Sequence, residues 1–199
     1  LLGRNHIASL GEGNDIVGDS PSTLRLTLPE IYLESDNVNE RISEINNTME
    51  EYVNNDLFVE YKDTMIYLQR TQNDGKIREG LIGVVDLEDY SFEKGSQTLI
   101  PPRVKVRENA LLELPHIMIL IDDDKKDVIE PLSRLVSEND KVYDFDLMQK
   151  GGHVKGYKLN KDIIDNINEK LELLADQNNF NKKYGVSDKG VLLFAMGDG

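Results

Sequence analysis

The 199 residues contain no cysteine. Without a thiol there is no disulfide, no thiolate zinc site and no cysteine nucleophile. Histidine is nearly missing too: His6, His116 and His153 are the whole set, and their spacing is not that of metal ligands. Positive charge is in short supply, with 23 Lys and Arg against 37 Asp and Glu and a formal net charge of −14. That balance works against broad nucleic-acid or anionic-membrane binding, which draws its affinity from clustered cations. It leaves room for one small basic pocket taking a phosphorylated ligand. No apolar run approaches the roughly 20 residues needed to span a bilayer, and no secretory leader is visible, so the expected address is cytoplasmic.

What is present is ordinary for a globular protein: 39% hydrophobic and 30% charged residues, in a chain long enough for one substantial core or two small ones. We read residues 1–199 as a single α+β domain. The first residue is Leu1, not Met, and the last follows an apolar run. Both ends therefore read as interior points of a longer protein.

Residues 1–20, with Gly3, Gly11, Gly13 and Gly18, read as loop. "STLRLTL" (22–28) alternates Leu24, Leu26 and Leu28 with polar residues, which predicts a half-buried strand stopped by Pro29. Val38, Ile42, Ile45, Met49, Tyr52 and Val53 recur at helical spacing, with Asp36 as the expected N-cap. "TMIYLQRTQ" and "IREGLIGVVDL" flank Asn73-Asp74-Gly75, a strong hairpin signal over 64–87. "PPRVKVREN" (101–109) alternates again and predicts a strand. "HIMILI" (116–121) reads as a central strand, and 127–137 as a short helix entered at Asp127. "KVYDFDLM" and "GGHVKGYKL" form a second strand pair. Residues 162–177 make an amphipathic helix with Ile163, Ile164, Ile167, Leu171 and Leu174 inward, and a last strand closes the chain. Hairpins outnumber βαβ units, so the class is α+β with a mixed, largely antiparallel sheet and flanking helices.

Four stretches bear on chemistry. Val191–Ala195 runs into Gly197-Asp198-Gly199; the glycines would let a backbone approach a phosphate, and Asp198 would hold Mg²⁺ bridging to one. Taken alone, the same residues read as a plain strand-to-loop turn. Arg103, Lys105 and Arg107 would share one face of a strand as a phosphate clamp, or form a solvated face paired with carboxylates. His153, after two glycines, would be presented for proton transfer, or would be an idle hairpin histidine. "DDDKKD" (122–127) lacks the alternating spacing of a calcium loop and reads as a solvated turn with an N-cap. "LGEGNDIVG" follows no strand and matches no nucleotide-loop pattern.

Five blocks, "VGDSPSTLRLTLPEIYLE", "GLIGVVDLEDY", "PPRVKVRENALLELPHIMILIDD", "GGHVKGYKL" and "LLFAMGDG", resemble successive blocks of the bacterial domain-of-unknown-function 1015 family, from about Ile16 to the last residue. The resemblance implies a link to serine biosynthesis and a phosphate loop like that of ParB and sulfiredoxin-like proteins, a group that includes free-serine kinases. By that likeness Gly197, Asp198 and Gly199 fall on the phosphate loop, with Asp198 near Mg²⁺. Arg103, Lys105, Arg107 and Glu108 fall near the charged block that meets an ATP or ADP donor, and His153 falls on the glycine–histidine block. Glu30 or Glu108 would take the proton of the acceptor hydroxyl. The sequence departs from the family in two places. The histidine-bearing half of the loop motif is absent after Gly199, and Ile100 joins Pro101 where relatives carry extra residues. The implied activity is a free-L-serine kinase; the alternative is a non-catalytic nucleotide- or phosphate-sensing module.

Overall fold

A computed structural model describes residues 18, 20–85, 100–114, 116–147 and 150–198, and of residues 30, 100–103 and 198 the backbone only. The chain divides into two compact units, one from residues 61–86 and 117–199, the other from 2–60 and 87–116.

The first unit is organised by a four-stranded antiparallel sheet whose strands, in spatial order, are Ile77–Ile82, Ile66–Thr71, His153–Lys158 and Lys141–Asp146. Strands β1 (Ile66–Thr71) and β2 (Ile77–Ile82) form the expected hairpin. The turn needs Gly75, whose φ is +82°, a value that suits glycine. Strands β4 (Lys141–Asp146) and β5 (His153–Lys158) form the second expected pair, and β5 docks antiparallel on β1. Period-two burial turns Tyr67 and Tyr157 to the same side of this sheet, where they meet Val128, Leu132, Leu159 and Ile167. Ile167 comes from α3 (Lys161–Ala175), which Asn160 caps by accepting the Ile163 N–H at 3.0 Å.

Two further strands stand apart. Among the described residues β3 (Met118–Ile121) pairs with β6 (Phe194–Asp198) alone, in a two-stranded antiparallel sheet, so the "HIMILI" run is there an edge strand and not a central one. The segment expected to be a helix from Asp127 is a 3-10 turn over Glu130–Arg134. Asp127 is not its cap: Asp123 accepts the Val128 N–H at 2.8 Å, and Asp127 gives its carbonyl to Lys170. α4 (Gln177–Tyr184) has no strong apolar period and was not expected. Its ends hold it, with Asp176 accepting the Asn179 N–H and Gly185 closing it at φ +65°.

In the second unit, α1 (Val38–Asn54) buries Ile42, Ile45, Met49 and Tyr52 along one side. Its N-cap position is Asn37, not Asp36. The core adds Leu26, Leu28, Leu33 and Val106. Residues 22–28 are not a strand. Ser22 accepts the Leu24 N–H at 3.2 Å and starts a 3-10 turn over Thr23–Leu26; the alternation marks which leucines go inward but not the backbone that carries them. The second correction is α2 (Ile100–Glu108), an α-helix where a strand was expected. Pro101 and Pro102 fit a first helical turn and not a strand interior, Arg, Lys and Glu favour helix, and only Val106 of the two valines is buried. Among the described residues no helix is long and apolar enough to cross a membrane.

Candidate functional site

The helix changes the expected phosphate clamp. At about 3.6 residues per turn, positions 103 and 107 fall on one side of α2 and Lys105 on another, so the three cations share no face. The Lys105 ammonium donates to the Asn39 side chain at 3.3 Å, and Arg107 pairs with Glu113. Glu108 is exposed at the end of the helix, and Glu30 begins a 3-10 turn, Glu30–Tyr32. These four, with Arg103, belong to the second unit, whereas His153, Gly197 and Asp198 belong to the first.

At the end of the chain the strand runs later than its apolar residues indicate. Val191–Leu193 lie outside it, with the Leu193 carbonyl accepting the Asp122 N–H at 3.0 Å. The strand itself is Phe194–Asp198, so Gly197 and Asp198 belong to it and not to a turn beyond it. Phe194, Ala195 and Met196 pair with Ile121, Leu120 and Ile119, but Met118 pairs with Asp198. Gly197 is therefore an extra residue, a β-bulge that twists the strand end. A Cβ on Gly197 would sit 3.4 Å from both the Met118 carbonyl and its terminal methyl. Gly199 and His6 lie outside the described residues.

Beside this strand is an apolar cleft of about 450 Å³. Leu120, Leu192, Ala195 and Val186 line it together with Phe180 and Tyr184 of α4, whose rings stand 4.9 Å apart. Asp122 is at its edge, bound by the Tyr184 hydroxyl at 2.7 Å and by Lys183 at 2.9 Å. Lys183 and then Tyr184 hold the Asp122 carboxyl below the usual carboxylate range. Lys183 also pairs with Asp124 at 2.9 Å, and Asp123 is the acceptor for Val128. Each of the three aspartates thus has a structural partner.

His153 starts β5 directly opposite Asp146. Its Nδ1 is 2.7 Å from Asp146 and its Nε2 is 2.6 Å from Asp144. Asp146 first, and then Asp144, raise the imidazole pKa above its ordinary 6.5. Asp144 is itself held low, first by Lys141 at 2.8 Å and then by His153. With both ring nitrogens bonded to carboxylates, His153 is an imidazolium and not a free base. Because its folded pKa exceeds the unfolded one, its contribution to stability is complete below the unfolded pKa and is lost as pH rises through the folded value. The expected result is that the melting-temperature difference between wild type and His153→Gln is largest near pH 6 and shrinks as pH rises above the ordinary imidazole range. A difference that does not change as pH rises would refute the clamp.

The protein so defined is α+β, with a bulged C-terminal strand beside an apolar cleft. Its sequence matches the family model described as "Protein of unknown function (DUF1015)" over residues 11–199, and the chain belongs to that family. No curated protein and no solved structure matches it.

Proposed function

We propose that this protein is a cytoplasmic small-molecule phosphotransferase that moves a phosphoryl group from a nucleotide to the hydroxyl of free L-serine. The observation that carries the reading is the conjunction, on β6, of the cleft at Ala195 and the bulged Gly197-Asp198 end. An apolar cleft with two aromatic rings suits a heterocyclic base. A bulged glycine at a strand end suits close approach of phosphates to backbone N–H groups. In this reading the strand end opens a phosphate loop of the ParB and sulfiredoxin-like kind.

The chemistry asked of the protein is positioning and charge stabilisation. The serine oxygen forms the new bond to phosphorus, the bond to the nucleotide leaving group breaks, and the hydroxyl proton leaves to a carboxylate or to water. His153 keeps its proton and serves as a fixed positive charge. Among the described residues no group of three or more His, Asp or Glu can hold a metal. The residues therefore suit Mg²⁺ that arrives with the donor phosphates and meets one carboxylate, Asp198, not a resident ion.

A second reading, a phosphate- or nucleotide-sensing module without turnover, draws on the engagement of Lys105, Arg107 and His153 with neighbouring side chains. The full-length protein, given L-serine, Mg²⁺ and in turn ATP, ADP or pyrophosphate, is expected to form phosphoserine with one donor. Gly197→Val is expected to lower kcat/KM about tenfold or more. Nucleotide binding by calorimetry with no phosphoserine from any donor would replace the kinase with the sensing module.

A further inference from the structure

At the turn end of the four-stranded sheet a polar hollow of about 320 Å³ is lined by Arg70, Gln72, Asn73, Asp74, Lys150 and Gly151. We propose that it binds a small polar phosphomonoester, whose phosphate is gripped by Arg70, Lys150 and the adjacent Arg78. This site lies on the sheet formed by β1 and β2, apart from the β3–β6 pair, and does not depend on the kinase reading.

Three observations converge. Arg70 and Arg78 are directly opposite each other on β1 and β2, so their side chains leave the same face of the sheet. Like charges in that position repel and destabilise the pair, and an anion between them turns the cost into a contact. Among the described residues the Lys150 ammonium makes no hydrogen bond or ion pair, and Arg78 acts on Asp74 only through its charge, without a hydrogen bond. The lining acid, Asp74, is already paired with Lys76 at 2.9 Å.

The second observation is preorganisation. Arg70 donates through Nε and Nη2 to the Gly151 carbonyl at 3.3 and 2.9 Å. That fixes the guanidinium plane and leaves the Nη1 hydrogens for a ligand. Asn73 donates to the Lys150 carbonyl and ties the same loop to the hairpin.

The third is backbone strain at the same place. It lies at Lys150, a non-glycine residue with φ +57°. A non-glycine residue in the left-handed region is uncommon, and such strain gathers at ligand clamps. The strained loop is what sets Lys150 and Gly151 beside Arg70. Phosphate fits better than carboxylate because three cations match a dianion, and planar guanidinium groups bond phosphate oxygens in pairs. The hollow exceeds a bare phosphate, and the Gln72 amide on its wall suits hydroxyl or amino groups of an ester.

The test is an NMR titration of the ¹⁵N-labelled full chain with inorganic phosphate and with phosphoethanolamine, against acetate at matched ionic strength. Saturable shifts of the Arg70 Nε–H, the Gly151 amide and the Gln72 side-chain amide are expected with both phosphates and not with acetate. Arg78→Gln and Lys150→Gln, which break no hydrogen bond among the described residues, are each expected to weaken binding about tenfold, with the melting temperature unchanged in Lys150→Gln and not lowered in Arg78→Gln. Equal shifts with acetate, no saturation with either phosphate, or wild-type affinity in both variants would overturn the site. Binding of inorganic phosphate without the ester would overturn the phosphomonoester assignment. Because no serine or nucleotide enters the experiment, its failure is separate from failure of the kinase assay.

Discussion

Gly152→Ala is expected to destabilise the first unit by about 3 kcal/mol, more than any other single methyl group added to a glycine of the turns. Two costs coincide there. The φ of +98° is one that L residues rarely adopt, and a Cβ built on Gly152 would lie 2.2 Å from the Thr71 carbonyl oxygen. The obstacle is backbone of β1, with the Thr71 carbon and Gln72 Cα both at 3.2 Å, so no side chain can swing aside. Thr71 is the β1 partner of His153, and relief of the clash must therefore open the end of the β1–β5 ladder. Gly185→Ala isolates the conformational part. Gly185 also has positive φ, +65°, but a Cβ there meets nothing within 4 Å, and about 1 kcal/mol is expected. Urea denaturation of both variants measures the difference. Equal costs would show that the loop does not press on β1 as described.

Tyr67→Ala is expected to cost about 3–5 kcal/mol, and Tyr67→Phe about 1–3 kcal/mol. The ring is fully buried and stands 6.1 Å from Tyr157 in the core of the first unit. Its hydroxyl donates to Glu79 and accepts from the Gln69 amide at 2.9 Å. Removing the ring leaves a cavity, whereas removing only the oxygen leaves a half-buried carboxylate and amide without their shared partner. Burial, and then the Glu79 hydrogen bond, push the phenol pKa well above its ordinary 10.0. In the unfolded chain the phenol loses its proton first, so stability falls as pH rises past about 10. Tyr67→Phe lacks that component. Denaturation at neutral pH and at about pH 10.5 reads both effects, and a Tyr67→Phe variant as stable as wild type at neutral pH would remove the hydroxyl from the account.

The sequence showed most clearly the elements whose apolar period matches their backbone. The α1 and α3 helices and the β1–β2 and β4–β5 pairs fall there, because Ile42, Ile45 and Met49, or Tyr67 and Tyr157, point inward at the intervals their geometry dictates. Residues 101–108 misled because Val-Lys-Val-Arg imitates a strand period while only Val106 is needed inside. The two prolines were the better signal. α4 was hidden because its polar residues carry no period, and capping decides it. Residues 22–28 form a turn because among the described residues no strand pairs with them, which no local pattern can reveal.

Of the site, the glycine–histidine block was visible but its meaning was not. Gly152 is there to let the loop meet β1, and His153 is clamped between aspartates contributed by β4. Arg70 and Arg78 were overlooked, although both stand four residues from Asp74 at the centre of a recognisable turn. A hairpin register drawn from that turn would have placed them opposite each other.

The order of strands in the sheet also bears on how the chain folds. β1 and β2 are neighbours in sequence and can zip together within microseconds. β1 then waits for β5, since Thr71 pairs with His153 and Ile66 with Lys158. Closing so long a loop is slow compared with forming a hairpin. During synthesis the hairpin leaves the ribosome with one long side open, and residues 87–116, which belong to the second unit, emerge before that side is covered. The interval in which β1 lacks its inner neighbour is thus written into the topology, and it is the period in which a nascent chain has most need of protection.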